Sequence, residues 1–201
     1  MAKRGHSREY TITEDQRFAL LKVAADSLGD QVLVILTALL GMRASEVCHM
    51  NRDWLHDDII QLPPSQDCDC IHCLKSPKHP GKWQPKYEAS RREIPMPDSV
   101  KGMIYDYFNA NPKGFQITRQ AVWAKIKLLA RKANIKMKGA SKGTTFPHAL
   151  RASAAENMIV KGFTAEELMC LLGWSRIDVA NAYIKAVVAK AKAYKKVKEL
   201  L

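Results

Sequence analysis

The run DQVLVILTALLG, residues 30–41, constrains this chain most: between Val32 and Leu40 only Thr37 is polar. A helix that is apolar all round belongs inside a protein. Its length, about 12 residues, is well short of the ~20 that cross a bilayer. The segment therefore reads as a buried helix ending at Gly41.

Further elements follow from periodicity and caps. Thr13 to Gln16 is a capping-box signature. Behind it Phe18, Leu21, Ala25 and Leu28 fall on one helical face, and Gly29 ends the run. WLHDDIIQLPP (54–64) reads as a short strand. WQPKYE (83–88) and RREIPM (91–96) read as the arms of a hairpin closed by Pro97. Helices are expected near 98–109, 118–133, 147–161, 164–172, 176–186 and 188–200. Thr164 with Glu167, and Ser175 with Asp178, supply cap signatures for two of them. The expected fold is mixed α+β and mainly helical, with a small antiparallel three-stranded sheet at one edge. No repeat and no Gly/Ser linker divides the 201 residues, a length that suits one domain.

Charge narrows the function. Thirty-two Lys and Arg against 20 Asp and Glu leave a net +12, which favours nucleic acid as partner, with an anionic membrane surface second. No apolar run is long enough to span a membrane, and MAKRGHSREY has no apolar stretch behind its charges, so it is no secretory signal. Five cysteines, three of them crowded together, do not suit a disulfide framework. A reducing cytoplasm is the expected compartment. Residues 185–201 carry six lysines and one acid; they form a solvated basic face, or they touch DNA or a neighbouring subunit.

Four stretches carry residues suited to chemistry. GMRASEV (41–47) follows the buried helix, where Arg43 could simply cap a helix end. PKYEASRREIPM (85–96) holds Lys86, which alone is a solvated charge. PHALRASAA (147–155) sets His148 and Arg151 three apart on one face of a helix start, where free backbone N–H groups suit a phosphate. LGWSRIDVANAY (172–183) ends on Tyr183, nine residues past Trp174; both could be core aromatics.

In this order and at these separations the four stretches resemble the catalytic domain of tyrosine recombinases, the phage-integrase and Xer superfamily. The resemblance is greatest to the compact integrases of archaeal viruses and plasmids, and it covers about residues 11–186. It implies a catalytic set of Arg43, Glu46, Lys86, His148, Arg151, Trp174 and Tyr183. Ala152 stands where family members often carry a histidine, and most members have an N-terminal helical domain that closes around DNA ahead of these motifs. The organisation expected is a basic arm (1–10), a catalytic domain (11–186) with a Cys/His-rich insertion (64–82), and a basic C-terminal helix (187–201).

Chemistry assigns the roles. Arg is always protonated and its planar fork matches phosphate oxygens, so Arg43 and Arg151 would hold the non-bridging oxygens and the charge that develops on them. Tyr183 would attack phosphorus to give a 3′-phosphotyrosyl link, its phenol (ordinarily near pKa ~10) acidified by nearby cations. His148 would donate to the phosphate or accept the tyrosine proton. Lys86 would protonate the leaving 5′-oxygen, and Glu46 would orient an Arg or His. The covalent bond preserves the energy of the broken one, so catalysis needs no cofactor. Double-stranded DNA is the expected partner, bound by a homo-tetramer that is a monomer when free, with an accessory clamping domain as a further partner. Lys125, Lys127, Arg131 and Lys132 would hold phosphates. A non-catalytic DNA-binding regulator and a type IB-like topoisomerase are the alternatives.

CDCIHC (68–73) stands apart. Cys68, Cys70, Cys73 and His79 would suit a tetrahedral structural zinc; a reduced, exposed loop is the other reading. Cys48 and Cys170 read as core.

Overall fold

In the computed structural model, residues 10–135 and 147–200 are described; the expected basic arm, apart from Tyr10, lies outside them. The first helix, α1 (Glu14–Ala24), starts on the expected capping box. The Thr13 hydroxyl accepts from Gln16 N at 3.2 Å, and the Gln16 side chain accepts from Thr13 N at 2.9 Å. Its buried face is Arg17, Leu20 and Ala24, whereas Phe18 is 62% exposed. Arg17 buries its aliphatic stem and carries its head out to Glu14 at 3.2 Å, which displaces the expected face by about one residue. Gly29 does not end a helix either. Ser27 caps a new one, α2 (Leu28–Val34), through Asp30 N.

The apolar run is only partly α-helical. After α2 the chain continues as a π-helix, Ile35–Leu39. Leu40 N bonds the Ile35 carbonyl at 3.0 Å and Met42 N the Leu36 carbonyl at 2.8 Å. The Thr37 hydroxyl, the one polar group in the run, donates to the Leu33 carbonyl at 2.7 Å, so it is satisfied without water. The run turns off at Gly41 (φ +66°) into α3 (Ala44–His49).

A three-stranded antiparallel sheet of order β1-β2-β5 follows, as expected in number but not in membership. Residues 54–64 make two strands, β1 (Leu55–His56) and β2 (Ile59–Gln61), because Asp57 (φ +46°) turns the chain back. The expected hairpin of 83–88 with 91–96 does not form. β4 (Lys82–Trp83) pairs with β3 (Gln66–Asp67) in a separate ribbon that brackets the short helix α4 (Ile71–Leu74). β5 (Glu93–Pro95) instead pairs with β2.

The remaining helices are α5 (Asp98–Ala110), α6 (Arg119–Lys132), α7 (Pro147–Val160), α8 (Ala165–Leu172) and α9 (Ile177–Lys198). The Thr164–Glu167 capping box forms on α8. The Ser175–Asp178 cap does not: Asp178 pairs with Arg176 at 2.5 Å instead. α9 is continuous, so the helices expected at 176–186 and 188–200 are one. Nothing in its Ala- and Lys-rich sequence breaks a helix between them. Cys170, expected in the core, is exposed, while Cys48 packs at the core's edge.

Two apolar clusters hold these elements. The larger gathers α1, α2, the π-helix, the sheet, α5 and α6; the smaller holds Ala155, Ile159, Ala165, Leu168, Leu172 and Ala180. α7 joins both, giving Ala149 and Leu150 to the first and Ala155 and Ile159 to the second. Its small residues let it lie close across the π-helix. The site described next sits where the clusters meet. Among the described residues, no helix is long and apolar enough to cross a membrane.

Candidate active site

Three guanidiniums and one carboxylate converge between the turn after the π-helix, the start of α7 and the end of α8. Glu46, on the first turn of α3, is the pivot. It accepts from Arg43 N at 2.8 Å and Arg43 Nη1 at 2.7 Å, and from Arg92 Nη1 and Nη2 at 3.0 Å each. Burial pushes its carboxyl pKa up, but Arg92 first, then Arg151 and Arg43, more than offset this and hold it at about 2. Glu46 is thus ionised throughout the ordinary pH range.

Backbone carbonyls fix the arginines. Arg43 Nη2 donates to Gly173 O at 2.8 Å and Nη1 also to the buried Ser90 hydroxyl at 3.0 Å. Arg151 donates from Nη1 to Gly41 O and from Nη2 to Leu172 O. Arg92 donates from Nε to Leu171 O at 2.7 Å and from Nη1 to Ser90 O at 3.0 Å. Two of these carbonyls depend on glycine. At Gly173 (φ +58°) a Cβ would lie 2.8 Å from Ala89 O and 2.9 Å from Ser90 Cα; at Gly41 it would lie 2.7 Å from a Leu172 methyl. Any larger residue would push apart the segments whose carbonyls hold Arg43 and Arg151.

Counting donors separates the three arginines. Each guanidinium has five N–H groups. Arg92 engages four, Arg43 three and Arg151 two with described residues. Arg43 and Arg151 therefore keep donors for an anion, while Arg92 is consumed in holding Glu46, Leu171 and Ser90. Burial, then the Arg43 charge, lower the Arg151 pKa to about 9, which leaves it cationic at neutral pH. Three cations facing one carboxylate make a site that attracts an anion.

The other expected residues stand round this pair. His148 reaches solvent on the first turn of α7. Desolvation by the surrounding protein, then the charges of Arg151, Arg43 and Lys86, hold it below the usual imidazole range, so it is neutral at pH 7. Lys86 is exposed, its ammonium 5.0 Å above the Tyr87 ring and within electrostatic reach of His148. Tyr183, on the second turn of α9, acts electrostatically on Arg151. Its ring lies 4.9 Å from that of Trp174, tilted by 34°, and both rings pack on the smaller apolar cluster. Trp174 thus packs against the tyrosine ring and helps fix its place at the site.

The four basic residues of α6 lie on two sides of the helix: at about 100° per residue, Lys125 and Lys132 on one and Lys127 and Arg131 on another. Lys125 is paired to Asp30 at 2.6 Å and Lys127 covers the Trp123 ring at 3.9 Å. Near the Cys-rich insertion, the group that comes together is His49, Cys68, Cys70 and Cys73. His79 is not in it. The β3–β4 ribbon lays the thiols against the end of α3, where His49 is, whereas His79 is exposed beyond α4.

Arg92 and His49 escaped the sequence reading, though a signal existed for Arg92. Ile94 and Met96 alternate inward, and the same period puts Arg92 on the buried face. His49 ends the helix that begins at the Arg43 box, and only the tertiary fold brings it to the cysteines.

The site thus joins, in a mainly helical domain with a small edge sheet, two arginines holding donors in reserve and a tyrosine stacked on Trp174 that acts electrostatically on Arg151. The chain belongs to the phage integrase family, whose sequence profile matches residues 10–189. It is 27% identical over 156 residues to the tyrosine recombinase XerD of Staphylococcus aureus, covering 77% of this chain and 49% of the relative. The chain thus spans about half the length of the curated relatives it matches. Among solved structures it is similar to XerA recombinase (TM-score 0.66, 15% identity, 92% of this chain and 62% of that one). It is also similar to the Tn1549 transposon integrase in complex with circular intermediate DNA (TM-score 0.63, 18% identity, 92% and 67%). The catalytic domain of bacteriophage HP1 integrase, of nearly matching length, gives a TM-score of 0.58 at 16% identity, covering 87% of this chain and 86% of that one.

Proposed function

We propose that the chain is the catalytic unit of a tyrosine site-specific recombinase that cleaves and rejoins duplex DNA for integration or excision of a mobile element. The observation that carries the reading is the reserve of N–H donors on Arg43 and Arg151 beside Tyr183. A phosphodiester placed there exchanges no existing bond of either arginine, and both can follow the charge as it grows on the non-bridging oxygens. The Tyr183 oxygen attacks phosphorus and the 5′-oxygen leaves. His148, neutral at pH 7, can accept the phenol proton. Lys86, on its flexible stem, protonates the leaving oxygen. The reverse attack by a 5′-hydroxyl on the phosphotyrosyl bond rejoins the strand and frees Tyr183; energy is carried in the covalent link, so no nucleotide cofactor is called for. Double-stranded DNA is the partner in this reading, engaged by a tetramer. The exposed Val188, Tyr194 and Val197 on distal α9, with Leu200 just past its end, offer apolar surface for contact between copies.

The test is an SDS-resistant protein–DNA complex formed on nicked duplexes and supercoiled plasmid. Wild type should give a covalent band, and Tyr183→Phe should give none. A band that persists in the variant would assign the chemistry to another residue. Exchange between two labelled duplexes separates a recombinase from an enzyme that only nicks and reseals.

A further inference from the structure

We propose that His49, Cys68, Cys70 and Cys73 form a structural zinc site that fastens the Cys-rich insertion to the helix carrying the Arg43–Glu46 box. The four ligand atoms come from three separate places in the fold, yet all lie within 4.8 Å of one another. His49 Nε2 is 3.4 Å from Cys73 Sγ and 3.6 Å from Cys70 Sγ. A tetrahedral zinc with Zn–S of about 2.3 Å and Zn–N of about 2.0 Å separates its sulfur and nitrogen ligands by about 3.5 Å and its sulfurs by about 3.8 Å. The observed His49 spacings match the first value, and the 4.8 Å that bounds all four atoms is about 1 Å beyond the second.

The supporting shell has the features such a site needs. His49 Nδ1 lies 2.7 Å from the Ser45 carbonyl. An N–H there fixes the tautomer that leaves the Nε2 lone pair for a metal. Cys73 N donates to Cys70 Sγ at 3.4 Å, stabilising negative charge on that sulfur across the Cys-x-x-Cys turn. Trp83 stacks on the His49 ring (centroids 5.4 Å, 19°) and Trp54 packs on Trp83 at 5.0 Å, so the imidazole is held from its flank as well. Cys68 N and Gly81 N bond to Gly81 O and Cys73 O at 2.8 and 3.0 Å, tying the ligand loop to itself. An open cavity bordered by His49, Cys68 and Cys70 gives an ion a way in.

The donor set selects the ion. Three thiolates and an imidazole exclude the oxygen-seeking Mg²⁺ and Ca²⁺ and suit zinc. Four protein ligands leave no open position, which marks the site as structural. The insertion has only two two-residue strands and one turn of helix to organise it, too little to order itself without a cross-link. Zinc would therefore fix the strand that ends at Trp83, three residues ahead of Lys86. Zinc content is independent of strand cleavage, so either proposal can fail without the other.

The full-length chain, purified without a histidine tag from zinc-sufficient medium, should contain one zinc by elemental analysis. Its X-ray absorption should fit three sulfurs at about 2.3 Å and one nitrogen at about 2.0 Å. His49→Ala should weaken zinc in competition with a chromophoric chelator by more than about tenfold, the least that loss of even an outer partner of a ligand costs. His79→Ala should leave affinity unchanged. If His49→Ala does not fold, cobalt-loaded wild type decides instead, since three thiolates give intense charge-transfer absorption. Substoichiometric zinc that the chelator removes at once would overturn the site. A fit without nitrogen, or loss of zinc in His79→Ala and not in His49→Ala, would overturn the ligand set.

Discussion

Arg92→Met is the sharpest probe of how the site is held together. Methionine keeps an unbranched apolar stem and removes the guanidinium. Four hydrogen bonds go with it: two to Glu46 at 3.0 Å, one to Leu171 O at 2.7 Å and one to Ser90 O at 3.0 Å. The two charged side chains are only 3% and 2% exposed, so water cannot replace the lost partner. Removing one member of a buried ion pair costs about 3–5 kcal/mol. Glu46 retains both contacts to Arg43, which places the expected loss at the lower end, about 3 kcal/mol. For a chain of this size that is a fall in Tm of about 6–12 °C. Urea unfolding followed by far-UV circular dichroism measures it. In a Glu46→Gln background the same change should cost less, with a coupling of about 1–3 kcal/mol in the double-mutant cycle. A cost below about 1 kcal/mol, the worth of an exposed pair, or an equal cost in both backgrounds, would refute the buried tie.

Three further outcomes follow from the same geometry. Glu46 titrates at about 2 in place of 4.5, so the folded protein binds that proton less readily than the unfolded chain. Its stabilisation is complete above pH 4.5 and is lost as pH falls toward 2, in all about 3 kcal/mol; unfolding of wild type and Glu46→Gln at pH 6 and pH 3 should show wild type losing more. His148 lies below its usual 6.5, so with His148 as proton acceptor the cleavage rate on a nicked duplex should fall as pH drops, through a range lower than that of an ordinary imidazole. A rate that rises as pH drops through that range would make His148 a donor instead. Gly173→Ala forces a Cβ to within 3 Å of Ala89 O and Ser90 Cα at φ +58°, which should destabilise by more than about 1 kcal/mol and displace the carbonyl on Arg43. An alanine variant as stable as wild type, with a full covalent band, would contradict that.

Local signals carried the fold only where they were strong. Capping boxes at Thr13 and Thr164 formed as written because both partners lie within one turn. The edges of the sheet did not follow. WQPKYE and RREIPM look like consecutive hairpin arms, yet Trp83 pairs with Gln66 and Ile94 with Ile60. Register between strands this short is set by what each strand buries, and the alternation in either arm says nothing about which partner it meets. Phe18 misled for a related reason: its spacing with Leu21 and Leu28 is helical, but a buried Arg17 stem satisfied the same period one residue over.

The site divides along the same line. Arg43, Glu46, His148, Arg151, Trp174 and Tyr183 were legible because each falls on a motif of the family the chain resembles, although each alone also had an ordinary structural reading. Arg92 carries no such mark, and its meaning depends on Glu46 lying 46 positions away in sequence. Yet Arg92 is what leaves Arg43 with donors to spare. A carboxylate facing Arg43 alone would draw that guanidinium into a bidentate pair and occupy the donors an anion needs. Arg92 takes both Glu46 oxygens from the other side, so the Arg43 guanidinium meets Glu46 through a single Nη1 contact and, with Ser90 and Gly173 O also engaged, keeps two of its five N–H groups. The buried carboxylate is therefore balanced mainly by Arg92, and Arg43 and Arg151 keep donors that the proposed phosphodiester would use. Arg92→Met should accordingly weaken binding of inorganic phosphate or short duplex as well as stability, while Glu46→Gln in the same chain should recover part of the lost binding by releasing Arg43.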